Sequence, residues 1–130
     1  MVTDLVADGL NQLKLGARAK KKEVSFWSSK LLEEILRVIE AEGYIRGFVT
    51  SIENNKRRST VFLKYKEGMS AFAGIKKITV PSRTVSSSHK KLPILMSGLG
   101  TVILTTPQGV MGEKEARERG LGGIILAYIW

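Results

Sequence analysis

A polar, glycine-ended stretch, Thr105-Thr106-Pro107-Gln108-Gly109, follows the apolar run Val102-Ile103-Leu104. It offers hydroxyls, a carboxamide and free backbone N–H groups. Groups of this kind hydrogen-bond a phosphate, a ribose hydroxyl or a base edge. The stretch has no carboxylate, thiol or imidazole, so it has nothing with which to move a proton or hold a metal. Thr105, Thr106, Gln108 and Gly109 are therefore the first candidates for a specific binding contact. They lie beyond the end of the most apolar strand, and Gly109 and Gly112 let backbone approach a ligand closely. Thr106 and Gln108 have no evident role in a core.

The remaining chemistry-bearing residues do not assemble a catalyst. His89 is the single histidine, flanked by Lys90 and Lys91, with no nucleophile or paired acid nearby in sequence. The chain has no cysteine, which excludes a disulfide framework, a thiolate zinc site and a thiol nucleophile. Gly98-Leu99-Gly100 and Gly120-Leu121-Gly122-Gly123 look like nucleotide loops, yet neither follows a strand and opens a helix. They read as tight turns entering strands. The carboxylates of the second half fall mainly in Glu113–Arg119, where Glu113–Arg117 and Glu115–Arg119 pairs would support a short helix. The reading is a binding protein and not an enzyme, with no catalytic residues, metal, cofactor or small-molecule substrate.

Charge identifies the class of partner. The chain has 130 residues, 21 basic against 12 acidic side chains, a net charge of +9 and a pI near 10.0. Such an excess implies a polyanion. It is concentrated in Arg18-Ala19-Lys20-Lys21-Lys22, in Lys56-Arg57-Arg58, and between Glu67 and Glu113, an acid-free span that carries Lys76, Lys77, Arg83, Lys90 and Lys91. Each cluster alone reads as a solvated loop. Three together, uncompensated, point to phosphates. No secretory pattern opens the chain, and no apolar run approaches the ~20 residues of a membrane helix, so no membrane partner is expected.

The elements that would position these groups follow from periodicity and punctuation. Val6, Leu10 and Leu13 mark a helix over 4–15, capped by Asp4 and ended by Gly16. A short extended piece, Val24–Trp27, precedes a second helix capped by Ser28 or Ser29, with Leu32, Ile35, Leu36 and Ile39 as its buried stripe and Gly43 after its end. Strands over 44–52 and 59–65 flank a turn-rich 54–58. The first half is thus α-β-α-β-β. A composition shift at Lys66-Glu67-Gly68 places a lobe boundary there, giving lobes 1–66 and 67–130. In the second lobe, 70–80 reads as a strand ended by Pro81, 93–97 as a helical turn, 101–105 as a strand, and 113–119 as a helix stopped by Gly120. Phe26, Trp27, Phe48, Phe62, Phe72 and Tyr128 read as core aromatics. The fold class is α+β, two small lobes, the C-terminal one mostly β with a short helix.

This layout resembles the ribosomal small-subunit protein eight family. The resemblance is carried by Asp4-Leu5-Val6-Ala7-Asp8, by Trp27-Ser28-Ser29-Lys30-Leu31, by Glu42-Gly43-Tyr44-Ile45, by Leu92-Pro93 with Gly98-Leu99-Gly100, and by Val110-Met111 through Glu115-Ala116-Arg117 to Gly120-Leu121-Gly122-Gly123. It implies an N-terminal α/β lobe and a C-terminal, mostly β lobe that binds the central domain of small-subunit ribosomal RNA early in assembly, beside neighbouring small-subunit proteins. On this reading the RNA-contacting residues are Thr105, Thr106, Gln108, Gly109, Gly122 and Gly123, with Lys30, Lys56, Arg57, Arg83, Lys90 and Lys91 meeting phosphates. The chain departs from the family pattern at three places. Thr105-Thr106-Pro107-Gln108-Gly109 stands for Ser-Thr-Ser-x-Gly, Ile124 for a glutamate, and Ser82 and Ser86 for a glycine and a tyrosine. Such drift suits an organellar ribosome, and the expected location is a ribosome in a bacterial cytoplasm or an organelle matrix, with a mitochondrion preferred to a plastid. The alternatives are a free-standing RNA chaperone or translational repressor and, further off, a small nuclease.

Overall fold

The computed structural model describes residues 4–78 and 100–130, together with the backbone of Ser86 and Ser87. The chain divides into two compact units, Met1–Ala73 and Gly74–Trp130.

The first unit is built on a helix, α1 (Leu5–Arg18), and a strand, β1 (Glu23–Trp27). Asp4 caps α1, its carboxylate accepting the Ala7 N–H at 3.1 Å. The helix runs through Gly16, which sequence punctuation places at its end. Gly16 is buried, and a Cβ there would overlap the Val24 side chain of β1. Its glycine therefore serves close helix–strand packing and not termination, and Gly9 does the same against Leu32 and Phe26. A second helix, α2 (Lys30–Ala41), is capped by the Ser29 hydroxyl, which accepts the Leu32 N–H at 3.2 Å. It ends where Gly43 takes φ +85°. Leu32, Ile35, Leu36 and Ile39 are fully buried, as their spacing predicts.

Next come β2 (Ile45–Glu53) and β3 (Lys56–Leu63), joined by Asn54-Asn55 with φ +51° and +63°. Positive φ at both central residues is the tight two-residue hairpin turn that asparagine tolerates. The turn is thus shorter than the expected 54–58, and Lys56, Arg57 and Arg58 lie in a strand. The sheet order is β1-β3-β2, all antiparallel. Val24, Phe26, Ser59 and Val61 face the helices, and buried Ser59 shares a hydrogen bond of 3.0 Å with Thr50. The small hairpin of β4 (Tyr65–Lys66) and β5 (Met69–Ser70), turning at Glu67-Gly68, stays with this unit. The expected boundary at 66/67 falls inside that turn. Burial holds the Tyr65 phenol above the usual tyrosine pKa, and its hydroxyl donates to the Lys21 carbonyl at 2.6 Å.

The second unit is a five-stranded antiparallel sheet and one short helix. Its strands are β6 (Ile75–Lys77), β7 (Ser86–Ser87), β8 (Thr101–Thr106), β9 (Gly109–Gly112) and β10 (Gly123–Ile129), and its helix is α3 (Glu113–Glu118). The order is β6-β10-β8-β9, with β7 also paired to β10. The long strand expected over 70–80 is interrupted. Met69–Ser70 turns back on the first unit, and only Ile75–Lys77 joins this sheet. Val102, Leu104, Met111, Ala116 and Ile125 form one core cluster. The family signature's Gly100 sits where a Cβ would press on the Tyr128 ring and the Ile129 carbonyl. Positions 79–85, 88–99 and 1–3 lie outside the described residues, and with them the expected turn at 93–97 and His89.

Candidate nucleic-acid interface

The stretch 105–109 is a hairpin tip and not an open loop. β8 and β9 pair with Thr105 opposite Val110 and Thr106 opposite Gly109, leaving only Pro107-Gln108 between them. The sequence expectation of a strand over 101–105 and a helix from 113 contains no strand over Gly109–Gly112. Pro107 at the second place of a four-residue turn and Gly109 at the fourth, ahead of Val110-Met111, are the signal that would have marked a hairpin. The tip is anchored by Val102, Ile103 and Leu104, all fully buried, while Pro107 and Gln108 are exposed. Gly109 takes φ +117°, a conformation that disfavours any side chain, although the space around it is open.

Polar side chains lock this tip. The Thr106 hydroxyl donates to the Gly109 carbonyl at 2.9 Å and accepts the Gln108 N–H at 3.1 Å. Thr106 thus closes the turn, a structural role that sequence did not reveal. The Gln108 carboxamide oxygen accepts from Arg119 at 3.1 Å, and Arg119 is held in turn by Glu115 at 2.8 Å. The expected Glu115–Arg119 pair is present, and it reaches across to the tip. Glu113 directs its carboxylate to the Val102 N–H at 2.6 Å, fastening α3 to the start of β8.

Gly123 brings a second segment to the same place. A Cβ at Gly123 would overlap the Thr105 carbonyl and press on the Thr106 Cα. Only glycine lets β10 begin against that backbone. Across β10, Gly123 pairs with Ser87 and Ile124 with Ser86, while Ile124 also pairs with Thr105. Ser86 and Ile124, two positions where the resemblance implies other residues, are therefore direct cross-strand partners. Thr105, Thr106, Gln108, Gly109, Gly122 and Gly123 are gathered at one end of one sheet. Their groups can donate and accept hydrogen bonds. Among the described residues no cluster of three or more histidine or acidic side chains could hold a metal.

The candidates of the first unit are placed differently. Lys30 is exposed at the first turn of α2, and Lys56 is exposed at the start of β3. Arg57 faces the opposite way. Its Nε lies 2.7 Å from a carboxylate oxygen of Glu33, a buried residue of α2. Its charge thus neutralises a buried acid, which leaves it less available to a phosphate. Arg83, Lys90 and Lys91 lie outside the described residues. Among the aromatics expected in the core, Phe26 and Phe72 are buried, whereas Trp27 and Phe62 are exposed. Strand alternation explains this: Phe26 points to the helices, so Trp27 must point away.

The chain matches the family model described as ribosomal protein S8 over residues 4–130. It is 39% identical over 131 residues to the small ribosomal subunit protein uS8 of Malacoplasma penetrans, and the match covers 100% of both chains. It is 41% identical over 132 residues to that of Ureaplasma parvum, again covering 100% of both. With the protein of Rhizobium rhizogenes it shares 41% identity over 130 residues, covering 99% of this chain and 98% of the relative. These relatives are bacterial, and they lend no support to the preference for a mitochondrion. An α+β fold with the expected order of elements, and a match of this extent and identity, place the chain in the ribosomal protein S8 family of the small subunit.

Proposed function

We infer that this chain is a non-catalytic structural component of the bacterial small ribosomal subunit and that it binds the central domain of the subunit's RNA. One observation carries the reading. The hydroxyl, amide and glycine positions of 105–109 and 122–123, far apart in sequence, converge at one sheet end and are braced there by α3. A rigid, small-residue edge of this kind can press against a helical RNA backbone and read ribose hydroxyls and shape. Exposed lysines such as Lys30 and Lys56 would set orientation on phosphates. Neighbouring small-subunit proteins are the further partners of this reading.

The test is a pair of titrations at one fixed salt, of a central-domain helix and a scrambled duplex, together with co-sedimentation of the chain with small subunits. Gln108→Ala and Gly123→Val should each reduce discrimination between the two RNAs, the second more strongly. Unchanged discrimination in both variants, measured below the lowered melting temperature expected of Gly123→Val, would remove 105–109 and 122–123 from the interface. A chain that binds RNA yet does not sediment with subunits would favour the free-standing chaperone or repressor.

A further inference from the structure

The outward face of the β1-β3-β2 sheet carries groups that neither the core nor the C-terminal edge uses. Trp27 is 42% exposed and Phe62 is 36% exposed. β1 and β3 pair with Trp27 opposite Arg58 and Glu23 opposite Phe62. Alternation puts these residues on the face away from the helices, as the exposed hydrogen bond between Ser25 and Thr60 midway between them confirms. The Arg58 guanidinium lies 5.0 Å from the Trp27 ring centroid and the Lys56 ammonium 5.7 Å. Beside Phe62 runs a groove bordered by Lys22, Arg46 and Lys64, with Glu23 as its one acid.

Arg58 also pairs with Glu53 at 3.6 Å, a solvent-open contact that a phosphate can replace, so both exposed rings sit among mainly cationic groups. The cores of protein–protein interfaces are enriched in aromatics and arginine but depleted in lysine, so Trp27 and Arg58 suit either kind of partner while Lys22, Lys56 and Lys64 favour a polyanion. The combination matches a nucleotide, which joins a flat apolar base to an anionic phosphate. Base-paired RNA hides its base faces, so an exposed ring selects unpaired strands. Phe62 and Arg58 are four residues apart on β3, roughly 13 Å at ~3.3 Å per residue, which a few nucleotides can span. We propose that this sheet face is a second RNA site, binding single-stranded RNA with an unpaired base stacked on Trp27, phosphates on Arg58 and Lys56, and the strand continuing toward Phe62, Arg46 and Lys64. The proposal rests on the reading above only in taking RNA as the partner, since its residues and its RNA form are different.

The chain has two tryptophans, and the other, Trp130, is stacked on Tyr128 at 4.7 Å in the second unit, so the part of the emission change that Trp27→Leu removes reports on the site. The experiment titrates the full chain with a single-stranded uridine oligonucleotide of about eight residues, a length in the usual range for stacking surfaces. Wild-type emission should be quenched. Trp27→Leu should abolish the quench and weaken binding about tenfold, a typical value for losing one stacked base. Arg58→Gln should keep the quench at a weaker affinity. Because Trp27 is exposed, a thermal melt of Trp27→Leu should match wild type. If instead that variant will not fold, Arg58→Gln alone decides: an affinity equal to wild type overturns the site. Equal affinity of wild type and Trp27→Leu, or wild-type emission that the oligonucleotide leaves unmoved, overturns it as well. So does a Trp27→Leu variant normal toward the oligonucleotide but poor at joining reconstituted subunits, which assigns the face to a protein. A central-domain helix titrated in parallel keeps the two readings apart. Its failure to bind wild type counts against the C-terminal interface and leaves the single-strand result standing.

Discussion

Thr106 shows how one side chain can be both candidate contact and fastening. Its hydroxyl is engaged twice inside the turn, by the Gly109 carbonyl and the Gln108 N–H. Thr106→Ala should therefore destabilise the second unit by about 1–2 kcal/mol, two modest hydrogen bonds, as well as loosen the tip. Thr106→Ser should retain most of that stability because it keeps the hydroxyl. Chemical denaturation of both variants is the measurement, and equal midpoints for alanine and serine would show that the hydroxyl does not hold the turn. Gly123 is constrained by space and not by φ. Any side chain there must displace Thr105 backbone, so Gly123→Ala should cost about 1–3 kcal/mol, within the range for overpacking.

At the scale of elements, the pair between Arg57 on β3 and Glu33 on α2 ties the helix start to the central strand. Glu33 is 8% exposed at its side chain and Arg57 35%. Removing Arg57 leaves a buried carboxylate without its partner. A fully buried pair would lose more, but solvent reaches the guanidinium, so Arg57→Ala should cost about 1–3 kcal/mol. The double variant Arg57→Ala with Glu33→Gln should recover part of that loss, because the stranded charge is gone. A double-mutant cycle by thermal melt checks this, and a coupling energy near zero would reduce the pair to a surface contact. The same two elements present Lys30 and Lys56 to solvent, so loss of Arg57 should affect RNA binding mainly through stability.

Over the whole molecule the net charge of +9 should dominate the proposed RNA affinity. Each phosphate neutralised releases counterions, so affinity for the central-domain helix should fall by orders of magnitude between roughly 50 and 200 mM salt. Isothermal or anisotropy titrations across that range give the slope, and a flat response would remove the electrostatic contribution. Lys56→Gln should reduce the slope by about one if its ammonium meets a phosphate. Arg57→Gln should leave the slope nearly unchanged, since its charge is already taken by Glu33.

Local rules were enough to read most of the elements. The first helix as far as Leu15, the second helix after a serine cap, the cap at Asp4, the stop at Gly43 and the buried stripe of Leu32, Ile35, Leu36 and Ile39 all follow from short-range spacing, because helix formation is decided by neighbours three and four residues apart, whereas the run of the first helix through Gly16 to Arg18 does not. The basic character and the absence of thiol chemistry were legible for the same reason, as composition needs no partner. What sequence could not supply was contact between distant segments. That Gly16 packs on Val24, that Arg57 belongs to Glu33, that Gln108 reaches Arg119 and that Gly123 makes room for Thr105 depend on which strands pair and in what register. Register also sent Trp27 and Phe62 outward while Phe26 went in, since a shift of one residue exchanges the two faces of a strand. The chain's residue types thus determined what kind of partner it suits, and tertiary pairing alone decided which of them stand together to meet it.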